Sequence, residues 1–406
     1  MDATNGSRLE IDLGALDHNV DAFRRAAGPG VGLCAVVKAD GYGLGAAAVA
    51  RRLDARRVDL LAVFSLEEAR ELTAVGVAAP LLVLSPVFDL ARTDPLYRAA
   101  VAGRLQLTVH GPEQLDAVEA VGRAFGCPLP IHLEVDSGMS RGGMDPGVAA
   151  ELLPRINASR YVALAGLFTH PASADQSIVA TNRQLHALLQ LVEKRRDALA
   201  PDAWLHFANT HAALRDHKFH LSMLRVGLGL YGYGPSNIRG SQHAGVDELA
   251  PAVRWLAPII HTRDVPAGQP VGYGGTYETR RPSRLGVVPV GYADGYPLAL
   301  THQAMVRVGD ALTPAPIRGQ VNMDQLIIDL TDLPSRVAAR GATVEVYAAD
   351  PEAPNALPRL AAAGGTSVYE LLCRLSPRLP RKYVTRGAEP EPRPARRAPS
   401  AARLGV

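Results

Sequence analysis

Residues 32–43 read Gly-Leu-Cys-Ala-Val-Val-Lys-Ala-Asp-Gly-Tyr-Gly: an apolar run ends on Lys38 and breaks at once into a glycine-rich turn. The run from Gly32 to Val37 has the length and apolar character of a strand buried on both faces. Comparable runs recur at Leu60 to Phe64, Leu81 to Leu84, Leu105 to Val109, Ile131 to Val135, Leu164 to Phe168, Leu205 to Ala208 and Leu224 to Leu228. Amphipathic stretches such as Leu66 to Val75, Pro112 to Phe125 and Ser177 to Leu199 fall between them. This alternation predicts repeated β/α units. Eight of them predict an α/β fold that begins with an N-terminal (β/α)8 TIM barrel, whose reactive residues belong just beyond the C-terminal ends of the strands. Lys38, Arg141 and His170 each lie just past such an end.

From about residue 246 the texture changes to short β-branched runs broken by Gly and Pro, including Leu285 to Val290, Gln325 to Leu330 and Thr343 to Tyr347. The expected organisation is a barrel over residues 1–245, with the first strand of the chain able to join the second domain, then a C-terminal all-β domain over 246–385. Residues 386–406, rich in Pro, Arg and Ala, read as a disordered tail.

The chain has 406 residues, 47% of them hydrophobic, which is enough for a sizeable core and for two domains. Its net charge of +3 comes entirely from the tail, which holds five Arg and two Glu. A charge-neutral body gives no support for a nucleic-acid partner. Three widely spaced cysteines, Cys34, Cys127 and Cys373, fit a reducing compartment and no disulfide framework or metal site. The N-terminus carries no apolar signal region and no stretch reaches membrane-spanning length, so the expected location is cytoplasmic, without a membrane partner.

Only four of the 43 basic side chains are lysines. Arginine stays protonated at accessible pH, whereas a lysine desolvated at a strand end can lose its proton and add to a carbonyl as a Schiff base. A snorkelling lysine that caps a buried strand is the other reading of Lys38.

The words AVVKADGYGLGA (35–46) resemble the lysine motif of the alanine racemase family, fold-type III enzymes that use pyridoxal 5'-phosphate. The resemblance continues through DSGMSRGGM (136–144), GLFTH (166–170), LRVGLGLYG (224–232), VGYGGTY (271–277), VGYADGYP (290–297), GQVNMDQ (319–325) and CRLSPRLPR (373–381). It implies that Lys38 binds the cofactor and acts as one base, with Tyr273 as the opposing base. A free phenol has a pKa of about 10, so Tyr273 needs a hydrogen-bond chain to serve near neutrality, a role the resemblance gives to His170. Arg225 matches the arginine that faces the pyridine nitrogen. Asn209, Thr210, Gly227, Leu228, Tyr42 and Tyr369 match positions around the phosphate, with Thr210 standing where serine is usual. Arg141 and Met323, the latter with Asp324, match residues near the substrate. The resemblance further implies an amino acid substrate and a homodimer whose active sites are shared, Tyr273 and Met323 coming from the partner.

The pattern is broken in places. Glu134 stands where many members carry a carbamylated lysine, and is expected to pair with Arg141. Leu44, Asn322 and Pro171 replace residues in or near the pocket lining, which leaves serine or a broader amino acid set open beside alanine, since one methyl group changes discrimination by only about 1–3 kcal/mol. Three rivals are weighed: a fold-type III decarboxylase, for which Cys373 would have to be catalytic although its setting reads as a packed thiol, a non-enzymatic cofactor-binding protein, and a non-catalytic secondary-metabolite binding or self-resistance protein. The expected activity is racemisation of alanine, supplying D-alanine for peptidoglycan.

Overall fold

The computed structural model describes residues 6–234 and 249–387. The chain divides into two compact units: residues 17–41 with 46–249, and residues up to 16 with 42–45 and the described chain from 250 onward. The expected boundary at 245 and nearly all of the expected tail lie outside the described residues.

Strand β1 (Arg8–Asp12) opens the chain. In the first unit β2 (Gly32–Val36), β3 (Leu60–Val63), β4 (Leu81–Val83), β5 (Leu105–Val109), β6 (Leu129–Glu134), β7 (Val162–Phe168), β8 (Trp204–His206) and β9 (Met223–Val226) form a closed parallel barrel. Closure runs through Gly32 paired with Met223 to Ala35 paired with Val226. All eight expected strands are present, and most end one or two residues early because the chain turns out to form the loops at their C-terminal ends. The helices Leu66–Ala74, Pro112–Phe125 and Ile178–Lys194 supply the layer between strands. Strands β2, β3 and β4 are buried at every position, as expected when helices cover one face of a parallel sheet and barrel side chains fill the other.

In the second unit β10 (Val253–Pro258), β11 (His261–Val265), β12 (Pro270–Val271), β13 (Tyr277–Glu278), β14 (Ser283–Val288), β15 (Met305–Val308), β16 (Ala315–Pro316), β17 (Leu326–Asp329), β18 (Thr343–Tyr347) and β19 (Arg381–Val384) follow in order. A six-stranded sheet runs β16-β15-β18-β10-β1-β19, so the chain's first strand is paired antiparallel to β10 and parallel to β19. A three-stranded sheet runs β11-β14-β17, and β12 with β13 forms a separate hairpin. The aromatic centre is Trp255, whose ring meets Tyr347 edge-on at 5.0 Å and whose indole N–H donates to Ser7 Oγ. The unit is not purely β: helices Leu357–Ala363 and Val368–Cys373 precede the last strand. Within the second helix Leu371 and Leu372 take the buried positions and leave Cys373 exposed, so the expectation of a packed thiol is corrected.

Candidate active site

The segment after β2 is a left-handed turn. Residues 39 to 43 all have positive φ, at 54, 53, 61, 61 and 78°. For Ala39, Asp40 and Tyr42 this conformation is strained by about 1–2 kcal/mol each, and such strain persists only where the surroundings impose it. Here Glu68 imposes it. Its carboxylate closes a capping box with Ser65 at the start of helix Leu66–Ala74, and accepts from Phe64 N at 2.6 Å and from Ala39 N at 2.7 Å. Asp40 Oδ1 accepts from Ala46 N at 2.8 Å at the other end of the turn. Lys38 is therefore held at the strand's C-terminal end by a helix cap, a contact with no signal in the lysine motif itself.

Arg225, on β9, is 4% exposed. Its guanidinium donates to Thr169 O at 3.1 Å, His170 Nδ1 at 3.1 Å and His206 Nδ1 at 3.0 Å, and stacks over the Phe168 ring at 4.9 Å. Burial first, and then the positive charges of Arg225, Arg141 and Lys38, push His170 well below the usual imidazole range. Three expected site cations thus act on one imidazole. A histidine beside them stays neutral near pH 7, its Nδ1 accepting from Arg225 and its Nε2–H available as a donor.

Gln184 fixes the loop carrying His170: its Nε2 donates to His170 O at 3.1 Å and its Oε1 accepts from Ala172 N at 2.8 Å. After β6, Asp136 Oδ1 accepts from Gly138, Met139 and Ser140 N–H groups at 2.9, 2.8 and 3.1 Å, which organises the loop that presents exposed Arg141. Glu134 does not pair with Arg141. Its carboxylate lies 3.0 Å from His110 Nδ1, while His110 Nε2 meets Leu84 O at 3.1 Å. The reason is register: Val109 pairs with Leu133, so the next residues, His110 and Glu134, emerge side by side from adjacent strands.

Beyond β8 and β9, Asn209 Oδ1 caps the short helix Thr210–Arg215 through Ala212 N at 3.0 Å. Thr210 Oγ1 accepts from Gly227 N and Gly229 N at 3.4 and 3.2 Å. A Cβ at Gly229 would clash with the Phe23 ring, so the glycine lets the chain pass close to that ring. The N–H groups of Thr210 and Leu228, each the first residue of a helical turn, meet no acceptor among the described residues.

In the second unit Tyr42 and Tyr369 come together, ring centroids 5.9 Å apart. Tyr273 lies in the turn between β12 and β13, flanked by Gly272, Gly274 and Gly275 at positive φ, and is 70% exposed. Met323 is also exposed. Its neighbour Asp324 is tied by Arg378, which donates from Nη2 to Asp324 Oδ1 and from Nε to Asp294 Oδ1, both at 2.7 Å. Leu44 is fully buried, and Tyr383 OH donates to its carbonyl at 3.0 Å.

Two further histidines, His132 and His206, are wholly buried in the barrel. Burial, and then the charge of Arg225, push His132 down to about 3, and His206 is likewise well below its ordinary value. An unfolded chain binds a proton at each near pH 6.5 while the folded one binds none, so stability falls as pH drops below that value. The loss continues for His132 to about pH 3. Urea midpoints are expected to decline from about pH 7 to 5, and His132→Asn to make that decline shallower; a pH-independent midpoint would contradict neutral burial.

Family models place this chain among known proteins. The model described as alanine racemase, N-terminal domain, matches residues 11–235, and that described as alanine racemase, C-terminal domain, matches residues 252–383. An alanine racemase from Synechocystis is 35% identical over 380 residues, covering 93% of this chain and 98% of that protein. The crystal structure of alanine racemase from D-cycloserine-producing Streptomyces lavendulae superposes with a TM-score of 0.83 at 30% identity, over 93% of this chain and 97% of that one. That of alanine racemase from Bartonella henselae with covalently bound pyridoxal phosphate has a TM-score of 0.78 at 26% identity, over 93% and 99%.

Proposed function

Because the chain belongs to the alanine racemase family, we propose that it is a pyridoxal-phosphate-dependent racemase that interconverts L- and D-alanine, working in the cytoplasm as a homodimer and supplying D-alanine for peptidoglycan. The observation that carries this reading is the buried Arg225 guanidinium, which donates to His170 Nδ1 at 3.1 Å beyond the barrel strands. No helix among the described residues is long and apolar enough to cross a membrane.

The residues present fit the cofactor. Lys38 supplies an amine at a strand end, Arg225 a buried cation, and Thr210 and Leu228 backbone N–H groups with no protein acceptor among the described residues, the donor set an anionic phosphate takes. When bound, pyridoxal phosphate supplies the electron sink for charge developing at Cα. Lys38 would hold it covalently. Tyr42, Tyr369, Thr210, Gly227 and Leu228 would hold its phosphate, with Asn209 fixing the Thr210 turn. Arg225 would face its ring nitrogen and, being unable to surrender a proton, leave that nitrogen largely unprotonated. A weaker sink favours return of a proton to Cα over side reactions.

Arg141 and the partner's copies of Met323 and Asp324 would orient the substrate carboxylate and close the site. Lys38 Nζ removes the α-proton of the D-enantiomer, and Tyr273 of the opposite chain that of the L-enantiomer from the other face. His170, through its Nε2–H, would stabilise the charge left on Tyr273, its own Nδ1 held by the N–H that Arg225 donates at 3.1 Å. Chiral separation after incubation with a panel of amino acids, alanine and serine first, tests the reading. Conversion fastest with alanine is expected. Serine as the preferred substrate would shift the assignment within racemases, and carbon dioxide release without enantiomer conversion would replace it by decarboxylation.

A further inference from the structure

Beyond Arg225 the barrel holds a string of polar side chains that racemisation leaves without a role, made of His206 on β8, His132 on β6 and Gln106 on β5. Its hydrogen bonds can run in only one direction. A guanidinium has no acceptor, so Arg225 Nη1 donates to His206 Nδ1 at 3.0 Å. With that nitrogen accepting, neutral His206 carries its proton on Nε2 and donates to His132 Nδ1 at 2.9 Å. His132 is in turn an Nε2–H tautomer, donating to Gln106 Oε1 at 2.6 Å. The neutrality this requires agrees with the depressed pKa values of both buried rings.

The barrel is built around this string. Strand β7 lies between β6 and β8, and at Gly166 a Cβ would clash with His132 Nδ1 and Cε1. Gly166 does not adopt positive φ, so its glycine serves to let the imidazole pass rather than to turn the backbone. The pairing of β6 with β7 shifts register between Ile131 and His132, which brings His132 level with Gly166. Phe168 stacks on His206, ring centroids 4.6 Å apart at 21°, and the same ring lies beneath Arg225.

We propose that His206, His132 and Gln106 are positioning residues that form a tautomer lock on Arg225, holding its guanidinium in the orientation that faces the cofactor ring. What Arg225 faces rests on the racemase reading; the lock itself rests on the hydrogen bonds alone. Were His206 to carry its proton on Nδ1, two N–H groups would oppose one another and Arg225 would have to move. The amide oxygen of Gln106 prevents this by fixing the proton of His132 on Nε2, and through it that of His206.

Gln106 is only partly buried, so Gln106→Leu removes the acceptor without opening the core. In full-length protein labelled with 15N-histidine, His132 and His206 are expected to show the neutral Nε2–H pattern from about pH 6 to 8, with or without pyridoxal phosphate. In Gln106→Leu that pattern is lost, and kcat falls about 10- to 100-fold while KM stays within about twofold. Gln106→Glu, which keeps an acceptor, restores the pattern and much of the lost kcat. A wild-type His206 found protonated on Nδ1, an unchanged tautomer pattern in Gln106→Leu, or an unchanged kcat once the tautomers have shifted would each overturn the proposal. Failure of the cofactor reading has a different signature: no visible cofactor absorbance in a protein whose histidine tautomers are as described.

Discussion

Replacing Lys38 by alanine is expected to lower alanine racemisation by about four to six orders of magnitude and to abolish the visible absorbance of the Lys38–cofactor linkage. The effect is expected to be large because, in the proposed mechanism, one amine is both anchor and base. Lys38→Arg should be nearly as damaging, since a guanidinium keeps the charge but cannot give up its proton to act as a nucleophile or base. Neither substitution should unfold the turn, because the hydrogen bonds that hold it are donated by the backbone N–H groups of Ala39 and Ala46 to the carboxylates of Glu68 and Asp40. Thermal melting of the variants, measured beside absorbance and rate, separates loss of chemistry from loss of fold. A Lys38→Ala protein that retained more than about a hundredth of the wild-type rate would remove Lys38 from the mechanism.

Tyr273→Phe is expected to cost about two to four orders of magnitude in racemisation while leaving the cofactor absorbance intact. The loss should be sided. If Lys38 serves the D-enantiomer and Tyr273 the L-enantiomer as proposed, D-alanine should continue to exchange at Cα in deuterium oxide, whereas L-alanine should not. Equal exchange of both enantiomers in this variant would mean that one group serves both faces.

The barrel is legible in the sequence because each strand is a short apolar run closed by a turn, and parallel strands buried on both faces leave no other pattern. The first strand, Arg8–Asp12, shows why assignment of strands to sheets is harder: its partners, β10 and β19, are distant in sequence and no local signal names them. Lys38 and Arg225 stand out because their motifs are contiguous words. The groups that hold them do not. Glu68 belongs to a helix cap, Gln184 to the middle of helix Ile178–Lys194, and His132, His206 and Gln106 to three different strands, so each is defined only by what the fold brings beside it. The expected pairing of Glu134 with Arg141 fails for the same reason, since the partner of Glu134 follows from the register of β5 against β6 and not from proximity along the chain. The one available sequence signal is a histidine inside an otherwise apolar strand, as at His206 in Leu205 to Ala208.

If each site is assembled from Lys38 of one chain and Tyr273 of another, two inactive variants should complement each other when Lys38→Ala and Tyr273→Phe chains are mixed or co-expressed. A mixed dimer would hold one site with both substitutions and one site with neither. Alanine racemisation is then predicted to return to a substantial fraction of wild type although each variant alone is nearly inactive. A mixture no more active than its components would contradict the shared site.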